Sequence, residues 1–395
     1  MPQVLRAALY GMLLVAGLLS VTRLGEYGPL PTTTLLDVWI ILFIATSVIR
    51  SKVVTTGLLL FLGVYLLTRV IPAMASLSPL EDFLQAYRWI LYLAAFAFAV
   101  GRTWGPIEPL KKVAFALIGM ALVKAGLTYI LRGSGERPGL LLENNFELAL
   151  FCGLIAVLYG YMNTPERFAS ITMIAALTLL AGSRSGAFAF LLLAIFALSQ
   201  ARISRGVRAF LVVYLVPILT LVPIWILAER SQGGTQTIDR INFLQVFLSE
   251  TQKWGLLEWL FGTVPITPLS DESCARLSYF KLLFSSVDGE TCYSVIFHAF
   301  LLRVVFDAGI VGLVIAFGVT ILCLRKAGVT TALTICLVGI AGTNSLSVSG
   351  LNNPYVALPL LIAIATTTVA TKLPSSFDRP AAVVGDTRRF LLGRP

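Results

Sequence analysis

Few residues in this 395-residue chain are equipped for chemistry, and they are unevenly placed. There is one histidine, His298, and six arginines that sit inside or at one end of long apolar stretches: Arg69, Arg88, Arg132, Arg137, Arg184 and Arg303. An imidazole, whose unperturbed pKa is about 6.5, can take a proton from a hydroxyl near neutral pH. Guanidinium forks grip phosphates with paired N–H donors, a geometry lysine lacks. The combination suits activation of an alcohol beside a held polyanion, and a lipid-linked pyrophosphate is the natural candidate. Each residue also has a plainer reading. His298 could bond loop backbone, Arg303 could pair with Asp307 four residues on, and Arg69 or Arg132 could snorkel to headgroups.

A second polar group opens the sixth apolar stretch, in the run Arg137-Pro-Gly-Leu-Leu-Leu-Glu143-Asn144-Asn145-Phe-Glu147. Helical spacing would put Glu143 and Glu147 on one face. They could bind sugar hydroxyls, orient an arginine, act as the base, or pair structurally with Arg137 or Arg184. Lys124 in the fifth stretch is a weaker candidate of the same kind. Asn344, Asn352 and Asn353 could bond sugars or form turns. No Gly-rich phosphate loop, His-Glu-x-x-His run or paired-cysteine spacing occurs, so nucleotide hydrolysis and zinc chemistry are not expected.

The elements that must position these groups follow from composition. Hydrophobic residues make up 57% of the chain and charged residues 13%, about half the share in a soluble domain, and mean hydropathy is +0.87. The expected class is an all-α polytopic membrane protein. About twelve spans are predicted, near 4–22, 33–49, 53–71, 84–101, 110–131, 139–162, 167–182, 186–200, 209–228, 295–323, 329–347 and 354–371. Connections after even-numbered spans hold eleven Lys or Arg, and the five short odd-numbered ones hold four. That asymmetry predicts cytoplasmic even-side loops, both termini inside, and the arginines and His298 outside. The excess of 30 basic over 20 acidic residues is thereby assigned to the membrane and not to nucleic acid.

Three segments test this scheme. Residues 167–200 read as two short helices joined at Gly182-Ser183-Arg184-Ser185-Gly186, because basic residues on both flanks return the chain to one side. Residues 229–294 form the one long hydrophilic loop, facing outward, with Cys274 and Cys292 placed for a disulfide in an oxidising compartment. In the same loop Ile238, Ile241, Leu244, Phe247 and Leu248 recur at helical spacing, as in an amphipathic helix lying on the bundle or the interface. His298 opens span ten, and Arg303, five residues on, would be rotated from it by roughly 140° on the same helix. The domains expected are a helical membrane domain over 1–371, the loop inserted at 229–294, and a basic cytoplasmic tail over 372–395.

With these residues in view, the chain resembles the O-antigen polymerase and ligase superfamily of integral membrane glycosyltransferases. The resemblance rests on the Ser183-Arg184 turn, the long outer loop that follows, and His298 followed by Gly309-Ile310-Val311-Gly312. The ligase pattern has Asn, Ser or Gln after the histidine, where this chain has Ala299. The resemblance implies an enzyme of the bacterial inner membrane acting at the periplasmic face without metal or other cofactor. The donor is an undecaprenyl-pyrophosphate-linked oligosaccharide and the acceptor a second glycan. His298 would act as the base, and Arg184, with Arg303 or Arg88, would hold the pyrophosphate. By position, Arg137, Glu143 and Asn145 complete the sugar site. A polymerase of lipid-linked repeat units, working with a chain-length regulator, is the first expectation. A ligase to lipid A core is the second, and a flippase or other transporter of lipid-linked oligosaccharide is the alternative of another class.

Overall fold

The computed structural model describes residues 1–24, 27–50, 55–133, 139–201, 239–285 and 287–370. Arg137, the ninth expected span and the basic tail lie outside the described residues. Apolar runs punctuated by Gly, Pro and charge become helices, as the hydropathy requires. Eight come first: α1 (Gln3–Val21), α2 (Thr32–Arg50), α3 (Thr56–Ala75), α4 (Leu80–Ala99), α5 (Glu108–Arg132), α6 (Asn144–Leu158), α7 (Thr164–Ala181) and α8 (Arg184–Gln200). The loop contributes α9 (Asp239–Glu250), α10 (Leu256–Phe261) and α11 (Asp271–Arg276). Finally come α12 (Phe300–Lys326), α13 (Thr331–Ser345) and α14 (Pro354–Ala370).

Among the described residues six helices are long and apolar enough to cross a membrane: α1, α2, α3, α5, α6 with its one-turn extension to Tyr161, and α12. The helices α8, α13 and α14 are apolar but shorter. The described residues form an all-helical membrane protein, though twelve crossings are not counted among them. The helix α4 departs from the apolar rule because it carries Glu81, Asp82 and Arg88, yet it is buried on most sides. Charge inside a bundle is tolerated only where protein groups answer it, and α4 has such groups. At the centre, every α6 residue from Phe146 to Leu158 is buried. Gly153 lets Pro359 of α14 press against it, since a Cβ there would lie 2.6 Å from the proline ring.

The helix ends sort into two sets. The Thr32 hydroxyl bonds both the Leu141 carbonyl and the Tyr355 hydroxyl, bringing the starts of α2, α6 and α14 together. Ser183 bonds Asn145, which adds the start of α8. Phe300 N donates to the Val348 carbonyl at 3.0 Å, which adds the start of α12. The Ser183-Arg184 turn and His298 therefore share one end of the bundle. At the other end the Arg102 guanidinium donates to the Ser47 carbonyl, and Lys111 bridges Glu108 and Glu166 at 3.0 and 2.8 Å.

The loop folds around its own small core of Phe243, Val246, Phe247, Leu269, Leu277, Ile296, Phe297 and Phe306. Cys274 and Cys292 are disulfide-bonded, with Cα atoms 5.8 Å apart. Two expectations need correction here. Of the expected stripe, Ile238 lies outside the described residues and Phe247 is buried, but it is buried with Phe243 and Val246, whereas Ile241, Leu244 and Leu248 are exposed. Both stripes have helical spacing, so periodicity alone cannot choose between them. The tenth span begins at Phe300 and not at His298, because the chain from Tyr293 to Ala299 runs as a short 3₁₀ turn and extended backbone.

Candidate functional site

The site is built where α12 breaks. Gly309 has φ +66° inside this helix, a left-handed conformation that suits glycine. Its missing side chain lets the Leu260 carbonyl and Phe261 amide of α10 come into direct contact, and Gly262, also at positive φ, meets Asp307 and Ala308 in return. The break frees two carbonyls from the α12 ladder. Phe306 O accepts from Thr263 N at 2.9 Å and from its hydroxyl at 3.1 Å. Asp307 O accepts from the Tyr87 hydroxyl at 3.0 Å and from Arg69 at 3.4 Å. Arg69 also donates to the Phe261 carbonyl at 2.9 Å. Gly309 is thus the seat on which the loop docks, while Gly312 packs against the Tyr65 hydroxyl of α3. Arg69 serves as a clamp in that joint.

Beside the break, Arg303 on α12 is buried at 2% exposure, and its Nε and Nη2 have no hydrogen-bond partner. Its guanidinium stands 5.9 Å from the Phe300 ring centre and within electrostatic range of Asp307, Arg88, Tyr87 and Tyr92. No ion pair within 4 Å joins Arg303 to Asp307, so the pairing read from their four-residue spacing is not formed. Asp307 instead accepts from Ser294 at 2.6 Å through one oxygen, and its other oxygen has no partner. Arg88 meets Asp37 at 3.1 Å, Tyr92 donates to the same carboxylate at 2.6 Å, and Arg88 Nε is unpartnered. Three guanidinium groups, the buried Arg303 and the partly exposed Arg69 and Arg88, thus lie near two carboxylates. Such a site favours an added anion.

Asn352 shapes this cluster from below. Its amide donates to the Gln85 carbonyl and accepts from the Trp89 amide, both at 2.8 Å. Those are the two groups that a regular helix would pair with each other, and they bracket Arg88. Asn353 caps Tyr355 N at 2.9 Å, and Asn344 donates to the Ile340 carbonyl of its own helix at 3.1 Å while its Oδ1 has no partner.

At the Ser183-Arg184 turn, Gly182 caps α7 at φ 54° and the Ser183 hydroxyl accepts from Gly186 N at 3.1 Å, starting α8. Arg184 is the first helical residue and is half-buried. Asn145 fixes the turn, its carbonyl oxygen accepting from the Ser183 and Ser185 hydroxyls at 2.5 and 2.9 Å. Asn145 thus supports Arg184 from α6. Glu143 and Glu147 do not share a helix face: Glu143 lies outside α6 as its N-cap, and Glu147 is buried, bound by the amides of Leu140, Leu141 and Leu142. Lys124 completes that structural unit through Ser20 and the Gly139 carbonyl, each at 2.7 Å.

His298 is half-buried between two loop aromatics, its ring centre 5.8 Å from Phe280 and 6.3 Å from Phe243. The cluster thus joins Arg88 to Arg303. The turn joins Arg184 to Asn145, and His298 stands over the start of α12 under the loop. Sequence reasoning passed over Asp37 as a member of the cluster, and it offered Asn352 only as a sugar contact or turn residue. Asp37 carried a signal, being the lone acid in the second apolar span. Among the described residues, no group of three or more His, Cys, Asp or Glu side chains is placed to hold a metal ion. Fold and site define a helical membrane protein with one buried arginine, Arg303, beside the helix break on which a disulfide-closed loop docks. Comparison with protein-family models, curated proteins and solved structures finds no match to this chain.

Proposed function

We propose that the protein is an integral membrane glycosyltransferase that moves an oligosaccharide from an undecaprenyl-pyrophosphate carrier onto a second lipid-linked repeat unit. The observation that carries this reading is Arg303, a buried guanidinium with two unpartnered nitrogens, next to Arg88 and at the same end as Arg184 and His298. A buried cation left without hydrogen bonds is costly and calls for an anionic ligand. In the proposed step His298 takes the proton of the acceptor hydroxyl. The acceptor oxygen bonds the donor's anomeric carbon with inversion, and the bond from that carbon to the diphosphate oxygen breaks. The diphosphate departs with the electron pair, its charge offset by Arg303, Arg88 and Arg184. Arg137, outside the described residues, and Glu143 remain proposed sugar contacts. The basic residues of the opposite end, Arg102, Lys111, Lys112, Arg325 and Lys326, support a cytoplasmic placement for that end and an outward-facing site in a bacterial inner membrane.

The test is to incubate the purified protein in lipid with a defined undecaprenyl-pyrophosphate glycan. Longer glycan on the lipid is expected. Transfer only when lipid A core is supplied would make it a ligase, and movement across the bilayer without bond formation would overturn the enzyme reading.

A further inference from the structure

The loop reads in sequence as hydrophilic, but its second helix does not behave as a water-exposed element. On α10 and the turn after it, Leu256, Leu257, Phe261 and Val264 are exposed, Leu257 at 68% and Phe261 at 47%. This surface is continuous with the apolar exterior of helices long and apolar enough to cross a membrane. The helix α10 packs along α12 at the Gly262–Gly309 contact, and the next turn of α12 exposes Ile310 and Val314. On its other side, Arg69 of α3 holds the Phe261 carbonyl and Ser78 donates to the Pro265 carbonyl at 3.2 Å. The α3–α4 turn therefore lies against the same segment, and its Leu77 is 89% exposed. In the window of α3 that is long and apolar enough to cross a membrane, only 17% of the residues are buried, a burial that suits a helix facing lipid. Trp254 and Trp259, partly buried against Phe247 and Phe306, hold the patch to the loop core.

We infer that residues 254–264 form a foot seated in the outer-leaflet interface of the bilayer, holding the loop, and with it His298, at a fixed height over the arginine cluster. Lipid is the occupant because the patch extends a lipid-facing belt. The inference rests on the membrane class of the protein and not on the proposed reaction. To test it, nitroxide labels are placed at Leu257→Cys and, separately, Leu77→Cys in the full chain, in nanodiscs of phosphatidylethanolamine and phosphatidylglycerol. The three cysteines outside the disulfide are buried, which favours labelling at the introduced site. Lys281→Cys, at an exposed Lys281–Glu290 pair, is the control in water. At both apolar positions collisions with oxygen are expected to exceed those with a water-soluble nickel chelate several-fold, with the reverse at residue 281. Nickel access at residue 257 equal to that at residue 281 would overturn the inference. A discrete label-to-label distance between two chains, with lipid and nickel both excluded, would overturn it in favour of a second copy.

Discussion

At the residue scale, the charge on Arg303 sets stability against function. A buried ionic group costs more than an apolar side chain of like size unless it is fully hydrogen-bonded, and two nitrogens of Arg303 are not. Arg303→Met combined with Asp307→Asn, which leaves no buried carboxylate without its cation, is therefore expected to raise thermal stability in detergent by about 1 kcal/mol or more while abolishing glycan transfer. A variant that unfolds at lower temperature would mean Arg303 has a structural partner. His298→Ala should lower transfer about a hundred-fold or more without changing folding, the scale on which a general base acts. Near-normal polymer would remove the proposed base. Arg184→Lys should fail nearly as badly as Arg184→Ala if two parallel N–H bonds to pyrophosphate matter, and full activity in the lysine variant would reduce Arg184 to a point charge.

At the scale of elements, the joint between α10 and α12 works through glycines and through the backbone groups they release. Gly309→Ala combines positive φ with a Cβ driven into α10 backbone. It should destabilise the protein by about 2 kcal/mol or more and make the loop protease-sensitive before the bundle. Unchanged proteolysis would show that the loop is held by its own core alone. Farther along the loop, Thr291 donates through its hydroxyl at 2.6 Å and its amide at 2.9 Å to Asp288, holding that carboxyl below the usual aspartate range. A depressed folded pKa gives stability that is present above the unfolded value, about 3.9, and is lost as pH falls through the lower folded value. Hydrogen exchange at residues 288–291 should accelerate only below about pH 4. Asp288→Asn should flatten that acid limb, and a profile identical to wild type would deny the turn any linkage.

At the scale of the whole molecule, the Arg88–Arg303 cluster, the Ser183-Arg184 turn and His298 lie at one end of the bundle, where the loop docks on α12. The Cys274–Cys292 disulfide closes a loop of 18 residues, for which chain entropy gives a stabilisation of about 3 kcal/mol. Reduction, or Cys292→Ser, should leave the bundle helical but loosen the loop core around Phe243 and Phe247. That would be read as early proteolysis of residues 239–297 with little change in circular dichroism.

The sequence by itself determined the class, the places where most helices lie, and the common end of the Ser183-Arg184 turn and His298. Hydropathy and the bias of Lys and Arg are summed over many residues, so they survive local error. Phase within a short helix does not: α9 carries two apolar stripes, and only contact with Leu269, Leu277 and Phe297 selects Phe243, Val246 and Phe247 as the inner one. Glu147 shows the same limit from the polar side. Its type and depth promised chemistry, yet three backbone amides from its own entry turn use it. Asp37, Asn352 and the unpartnered Arg303 became a site only when α2, α4, α12 and the turn before α14 were packed together. Hydrogen-bond satisfaction between residues hundreds of positions apart is a property of the assembled bundle.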